Sequence, residues 1–120
     1  MEFSIDRIDH VQVAAPRGSE VEAIGFYSGI LGMKEVGKPE PLQARGGVWF
    51  EFGSFQLHVG IEEPFAPARK AHPAFRVSGY EEMQTQLKEK GMEVKVDDSI
   101  PGVERFFVFD PFGNRLEFLK

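Results

Sequence analysis

The sequence contains no cysteine and no apolar run long enough to span a membrane. Without thiols the chain cannot form disulfides, use a thiolate nucleophile or bind a metal through sulfur, so any metal ligand must be a nitrogen or an oxygen. Positive charge is also scarce, because 14 Lys and Arg face 19 Asp and Glu, for a net charge of -5. Nucleic acids and anionic membranes are bound through clustered positive charge, and we expect neither as a partner.

The composition is typical of one small folded domain. The chain has 120 residues, of which 42% are hydrophobic and 28% are charged, and twelve Phe supply most of the aromatic bulk. This is apolar enough to bury one modest core and too apolar for a disordered chain. The N-terminal residues carry charges from Glu2 onward and lack the apolar stretch of a secretory signal, so we expect a cytoplasmic location.

The sequence repeats itself at a spacing of 59 residues. Capping-box patterns of the form S-x-x-E begin at Ser19 and at Ser78, each ahead of a helical run. Glycines suited to end a helix follow at Gly32 and Gly91, with the same spacing. Shared spacing of this kind indicates that the two halves of the chain are copies of one unit.

Each half also predicts strands on both sides of its helix. A short alternating strand precedes each helix, at 8–14 and 71–77. Each half ends in two strands around a tight turn, and at the 59-residue spacing 48–50 aligns with 107–109. The predicted order in each half is strand, helix, strand, strand, strand.

We therefore predict a single α+β domain of two βαβββ modules, which form a curved mixed sheet with the helices outside. Module 1 covers about residues 5–61 and module 2 about 71–120, and a proline-containing connector joins them at 62–70. A half of this size cannot bury an apolar sheet face alone, whereas two halves can.

The last two predicted strands flank the turn D-P-F-G-N at residues 110–114. Proline presets φ, and glycine and asparagine tolerate positive φ, so these residues favour a tight turn. The strand after it carries Glu117 between Leu116 and Phe118. A carboxylate in the middle of a strand is costly to bury unless it is paired or bound to a metal, so Glu117 requires a partner.

The sequence resembles the vicinal oxygen chelate superfamily, which includes glyoxalase I, bleomycin-resistance proteins and extradiol dioxygenases. The resemblance covers nearly the whole chain and is carried by IDHVQVAAP, FYSGILGMK, HPAFRV and FFVFDPFGNRLEFL. It implies the fold predicted above and a small-molecule substrate. It also implies a homodimer, in which modules of two chains complete each barrel, and a closed monomer is the alternative that the sequence leaves open.

The resemblance places metal ligands on the first and fourth strands of each module, where this chain has His10, His58, His72 and Glu117. A single histidine in a strand is more often structural, but the three histidines of this chain all fall at ligand positions. Imidazole and carboxylate suit a divalent ion such as Zn, Fe, Ni, Co or Mn. We expect one site formed by all four, with Glu117 also the catalytic residue, as the resemblance implies.

Two functions remain open. The first is a metal-dependent lyase, isomerase, thiol transferase or dioxygenase that acts on a small oxygen-rich substrate by chelation at the metal. The second is a non-catalytic protein that sequesters a bleomycin-like antibiotic, but such relatives usually lack the ligand set. His58 leaves the reaction open, because glyoxalase I-like members typically have Glu at that position and epimerase-like members Gln.

Four further residues are candidates for substrate binding: Arg45, Trp49, Arg105 and Arg115. For Arg45 the alternative is a solvated loop arginine. For Arg105 and Arg115 the alternative is an ion pair with Glu117, and for Trp49 it is a place in the core.

Overall fold

The computed structural model describes residues 2–120, which form two compact units with their boundary between Glu63 and Pro64. The first unit contains β1 (His10–Ala15), α1 (Glu20–Tyr27), β2 (Lys34–Val36), the short helix α2 (Glu40–Gln43), β3 (Val48–Phe52) and β4 (Phe55–Ile61). The second contains β5 (Ala74–Arg76), α3 (Tyr80–Glu89), β6 (Lys95–Asp97), β7 (Arg105–Phe109) and β8 (Arg115–Leu119). The predicted α+β class and the two βαβββ modules are confirmed, and α2 is an addition.

Each unit has its own four-stranded mixed sheet, in the order β1-β4-β3-β2 in the first and β5-β8-β7-β6 in the second. The first strand of each module pairs in parallel with the fourth, and the other pairings are antiparallel. Strands β4 and β8 are therefore paired along both edges. This topology brings residues of the first and fourth strands side by side, although they are far apart in the sequence.

Alternation along the strands separates the core from the opposite sheet face. In the first unit Phe50 and Leu57 are fully buried, and in the second Phe106 and Leu116 are. Burying a side chain of this size contributes roughly 2 to 3 kcal/mol. The residues next to them in sequence point to the other face, where the candidate site residues lie.

The helix starts differ from the sequence prediction. Ser19 is the N-cap of α1, but its hydroxyl donates to the carbonyl of Pro16 and caps no helix N–H. Helix α3 is capped at Gly79, one residue after Ser78 and with φ of 71°. The capping-box interpretation is therefore wrong for both helices, because in neither does the serine hydroxyl accept a hydrogen bond from the helix.

The prediction that glycines end the helices is confirmed for α3 and wrong for α1, which ends at Tyr27 with Ser28 as its C-cap, because further turns separate the helix from Gly32. Gly91 has φ of 82°, and the N–H of Met92 donates to the carbonyl of Leu87 at 2.9 Å, as in a Schellman motif. Gly32 has φ of 77° and closes the turns that follow α1. No helix within residues 2–120 is long and apolar enough to cross a membrane.

The repeat shifts by one residue in the third strand of each module. His58 lies opposite Trp49, and Glu117 lies opposite Phe107. Trp49 and Phe107 are therefore equivalent at a spacing of 58 residues. The alignment of 48–50 with 107–109 at a spacing of 59 is wrong by one position.

The cause is a longer turn in the second hairpin. Four residues separate the paired Glu51 and Gln56, whereas five separate the paired Phe109 and Arg115. The extra residue is accommodated because Asp110 accepts two backbone N–H groups of the turn, at 2.9 and 2.8 Å. The turn is thus fixed by its own aspartate. Strands β4 and β8, which follow the two turns, keep the 59-residue spacing.

Candidate functional site

His10 and His58 lie together on one face of the first sheet. Their ring centroids are 4.1 Å apart and the planes differ by 17°. Nδ1 of His10 lies 3.0 Å from the carboxylate of Asp9, and Nε2 of His58 lies 2.8 Å from the side-chain oxygen of Gln56. Because these oxygens accept a hydrogen bond, the facing ring nitrogens donate it, and in the neutral form of each histidine the other ring nitrogen has a lone pair that can bind a metal.

The imidazole of His58 is held between two other rings. The indole of Trp49, on β3, stacks on it with centroids 3.8 Å apart. The ring of His10, on β1, stacks on it from the other neighbouring strand. His58 is only 4% exposed. Burial, with a further contribution from the charge of His10, lowers the pKa of His58 from 6.5 to about 4 against the opposing effect of Asp9. His58 is therefore neutral at pH 7, which is the form that binds metals.

His72 and Glu117 form the corresponding pair in the second unit. Nε2 of His72 lies 2.7 Å from Oε1 of Glu117, and Nδ1 of His72 lies 2.8 Å from the carbonyl oxygen of Lys70. The carbonyl can only accept, so Nδ1 carries a proton and Nε2 faces the carboxylate. A second proton must lie between Nε2 and Oε1 at this distance, and a cation bound by both groups would replace it.

Glu117 is buried, and its second oxygen is also engaged. Nη1 of Arg105 donates to Oε2 of Glu117 at 3.3 Å, and Nη2 of Arg105 donates to Asp97 at 3.3 Å. Burial raises the pKa of Glu117, but the hydrogen bonds from His72 and Arg105 outweigh it and hold the pKa below its usual value. The partner that the sequence analysis required for Glu117 is thus the pair His72 and Arg105.

Asp97 was not among the residues predicted from the sequence. It reaches the site because β6 pairs with β7 in a register that sets Asp97 opposite Arg105. That register depends on contacts between strands, and the local pattern K-V-D carries no signal for it.

The four candidate substrate-binding residues have different environments. Arg105 pairs with Glu117, as the alternative interpretation expected, and Trp49 stacks on His58. The guanidinium of Arg115 lies 4.0 Å from the ring centroid of Phe107. Arg45 is exposed in the loop after α2, and its side chain has no hydrogen-bond or ion-pair partner within residues 2–120.

Each unit therefore brings together two of the four predicted ligands. Within residues 2–120 no group of three or more His, Asp or Glu side chains is arranged to hold a metal ion. The chemistry of the two pairs, three imidazoles and one carboxylate, fits a borderline divalent ion. A single site of all four ligands stays a prediction.

Comparison with known proteins identifies the family. Residues 7–118 match the family model of the Glyoxalase/Bleomycin resistance protein/Dioxygenase superfamily, and the chain belongs to this superfamily, as predicted. It is similar to a glyoxalase family protein from Bacillus anthracis, with 51% identity, coverage of 99% of this chain and 98% of that chain, and a TM-score of 0.96.

More distant structures share the fold. A lactoylglutathione lyase from Agrobacterium tumefaciens is 20% identical, with 96% and 93% of the two chains covered and a TM-score of 0.76. A glyoxalase family protein from Enterococcus faecalis is 26% identical over 100% of both chains, with a TM-score of 0.70. No protein of curated function matches the sequence.

Proposed function

We propose that this protein is a divalent-metal-dependent enzyme of the glyoxalase/dioxygenase type that acts on a small oxygen-rich substrate. The observation that carries the proposal is the pairing of its donors: His10 with His58 on β1 and β4, and His72, just before β5, with Glu117 on β8. Membership of the superfamily supports it.

The histidines are oriented as metal-ligating histidines usually are. Each has one ring nitrogen next to a hydrogen-bond acceptor outside the ligand set, namely Asp9, Gln56 or the carbonyl of Lys70. A bound Zn, Fe, Ni, Co or Mn ion would supply Lewis-acid polarisation of two neighbouring substrate oxygens.

Glu117 is proposed as the catalytic residue as well as a ligand. Arg105 holds one carboxylate oxygen, and the lowered pKa keeps the group ionised at pH 7. An ionised carboxylate fixed in one orientation can accept a proton from a substrate carbon or hydroxyl and return it elsewhere. Arg105 acts as a positioning residue in this scheme, because it touches Glu117.

We further propose that the protein works as a homodimer. Each module supplies only two of the four ligands, and the N-terminal segment carries apolar side chains that the single chain leaves in solvent. Phe3 is 71% exposed, Ile5 90% and Ile8 63%. Clustered exposed apolar residues of this kind mark a protein interface, and a second copy would cover them. The cytoplasmic location stays a prediction.

Elemental analysis of protein purified without added metal tests the proposal. We expect close to one equivalent of a single divalent metal per chain, lost in His72→Gln and Glu117→Gln and retained in the loop variant Arg45→Gln. A metal content below about a tenth of an equivalent, with no binding on titration, would contradict the proposal.

Sequestration of an aromatic ligand is the second candidate, favoured by the half-buried indole of Trp49, which stacks on His58 through one ring face. Quenching of Trp49 fluorescence by a bleomycin-type ligand, undiminished in His10→Ala and Glu117→Ala, would favour this function. Loss of quenching in both variants would favour the metal-dependent enzyme.

A further inference from the structure

Arg115 carries a guanidinium that no carboxylate within residues 2–120 contacts. Its guanidinium lies 4.0 Å from the ring centroid of Phe107, on the same sheet face as Glu117 and two residues before it. Within residues 2–120 it makes no hydrogen bond and no ion pair. A guanidinium offers five N–H donors in a fixed plane, and here the aromatic ring orders that plane while leaving the donors open.

The guanidinium of Arg105 lies against the same ring, 5.2 Å from its centroid, but its terminal N–H groups are already used in hydrogen bonds. Its two terminal nitrogens donate to the carboxylates of Glu117 and Asp97, which neutralise it. The guanidinium without a carboxylate in contact on this face is therefore that of Arg115.

The first module has no arginine at the position equivalent to Arg115. Gln56 occupies the equivalent position in the first module, two residues before His58, and its side-chain oxygen lies 2.8 Å from Nε2 of His58. Opposite Gln56 lies Glu51, whereas opposite Arg115 lies the apolar Phe109. The first module thus has a neutral amide and a carboxylate where the second has a cation without an acceptor. This difference between the modules points to a negatively charged ligand at Arg115.

We infer that Arg115 binds an oxyanion of the substrate, a carboxylate or a phosphate group. Both groups match the two-pronged geometry of a guanidinium. Side chains two residues apart on a strand are separated by roughly 7 Å, so the substrate is a small anion that reaches from Arg115 to Glu117. The inference rests on the proposed function only for the chemistry at the Glu117 end.

Titration of the full-length, chelator-treated protein with inorganic phosphate and with succinate, at fixed ionic strength, tests the inference. The signal is the NMR resonance of each arginine Nε–H group. We expect the Arg115 resonance to shift with saturation, and Arg115→Gln to weaken binding about ten-fold or more. Arg115→Lys keeps the positive charge but loses the pair of parallel N–H donors, and should bind the anion with intermediate affinity. Arg17→Gln, which removes an exposed arginine of the first unit, should bind like the wild type.

Tighter binding of phosphate identifies a phosphorylated or phosphonate substrate, and tighter binding of succinate identifies a carboxylate. Equal binding by wild type and a folded Arg115→Gln protein would overturn the inference, as would an equal loss in Arg17→Gln. Metal binding is measured separately on the same proteins. Anion binding without metal binding would refute the proposed function alone, and metal binding without anion binding would refute the Arg115 site alone.

Discussion

The indole ring of Trp49 lies flat on the imidazole of His58, with centroids 3.8 Å apart and planes within 3° of parallel. The two residues are direct cross-strand partners on β3 and β4, so the sheet itself sets the contact. Because His10 stacks on His58 as well, the plane of a predicted metal ligand is fixed before any metal binds.

Removing the indole should therefore weaken metal binding without removing a ligand. We expect Trp49→Ala to raise the metal dissociation constant about ten-fold, the effect typical of losing an outer-shell partner. Trp49→Phe keeps a flat ring and should bind almost as tightly as the wild type. Calorimetric titration of both variants measures this, and an unchanged affinity in a folded Trp49→Ala protein would contradict a positioning role.

The buried neutral state of His58 predicts a loss of stability in acid. Its pKa is about 4 in the folded protein and 6.5 in the unfolded chain, so between these values only the unfolded state binds the proton. The free energy of unfolding should fall as the pH drops from 6.5 towards 4, by up to roughly 3 kcal/mol. Urea unfolding of metal-free protein across this range measures the loss.

His58→Gln is the control for this pH effect, because glutamine does not titrate. Its stability should vary less than that of the wild type above pH 5. Glu117 does not contribute to the change above pH 5, because its pKa in the folded protein is lowered from the usual 4.5 and its stabilising effect is lost only below that pH. An identical pH profile in wild type and His58→Gln would show that His58 is not the titrating group.

Gly47 allows β3 and β4 to approach each other at the start of the hairpin. It has φ of 89°, and a Cβ there would meet the backbone carbonyl of Val59 far inside van der Waals contact. Gly47→Ala should destabilise the protein by about 2 kcal/mol or more in urea unfolding. Gly53→Ala is the matched control, because Gly53 also has positive φ, 53°, with nothing within 4 Å of its Cβ position. Equal effects would mean that the close approach carries no cost.

The proposed dimer predicts that the exposed N-terminal residues mediate association. Ile5→Ser should raise the dimer dissociation constant about ten-fold in sedimentation experiments, because it replaces an isoleucine that the proposed dimer buries with a polar side chain. Val21→Ser is the comparison, since Val21 is 83% exposed on α1 and lies outside the N-terminal segment. A wild-type monomer, or an equal effect of Val21→Ser, would contradict this interface.

The sequence predicted most of the fold because local signals agreed with each other. Alternation defined the strands, Gly91 marked the end of α3, and the repeat joined these signals into two modules. The pairing of His10 with His58, and of His72 with Glu117, followed from the resemblance. The parallel contact of β1 with β4 explains the first pair, and in the second the N–H of Glu117 donates to the carbonyl of Pro73, which holds His72 beside β8.

Features that depend on contacts between strands or on competing hydrogen bonds were missed. Ser19 bonds to Pro16, and Asp97 reaches Arg105 through a register that no local pattern encodes. The one-residue shift between Trp49 and Phe107 arises in the turn closed by Asp110, so strand alternation alone could not detect it.

The number of metal ions bound per chain, in wild type and in variants of each pair, tests the central claim most directly. One site built from all four ligands predicts one ion per wild-type chain, and almost none in either the His10→Gln/His58→Gln double variant or the His72→Gln/Glu117→Gln double variant. If each double variant instead keeps a tightly bound ion at the remaining pair, or if the wild type binds none, the four residues do not form one metal site.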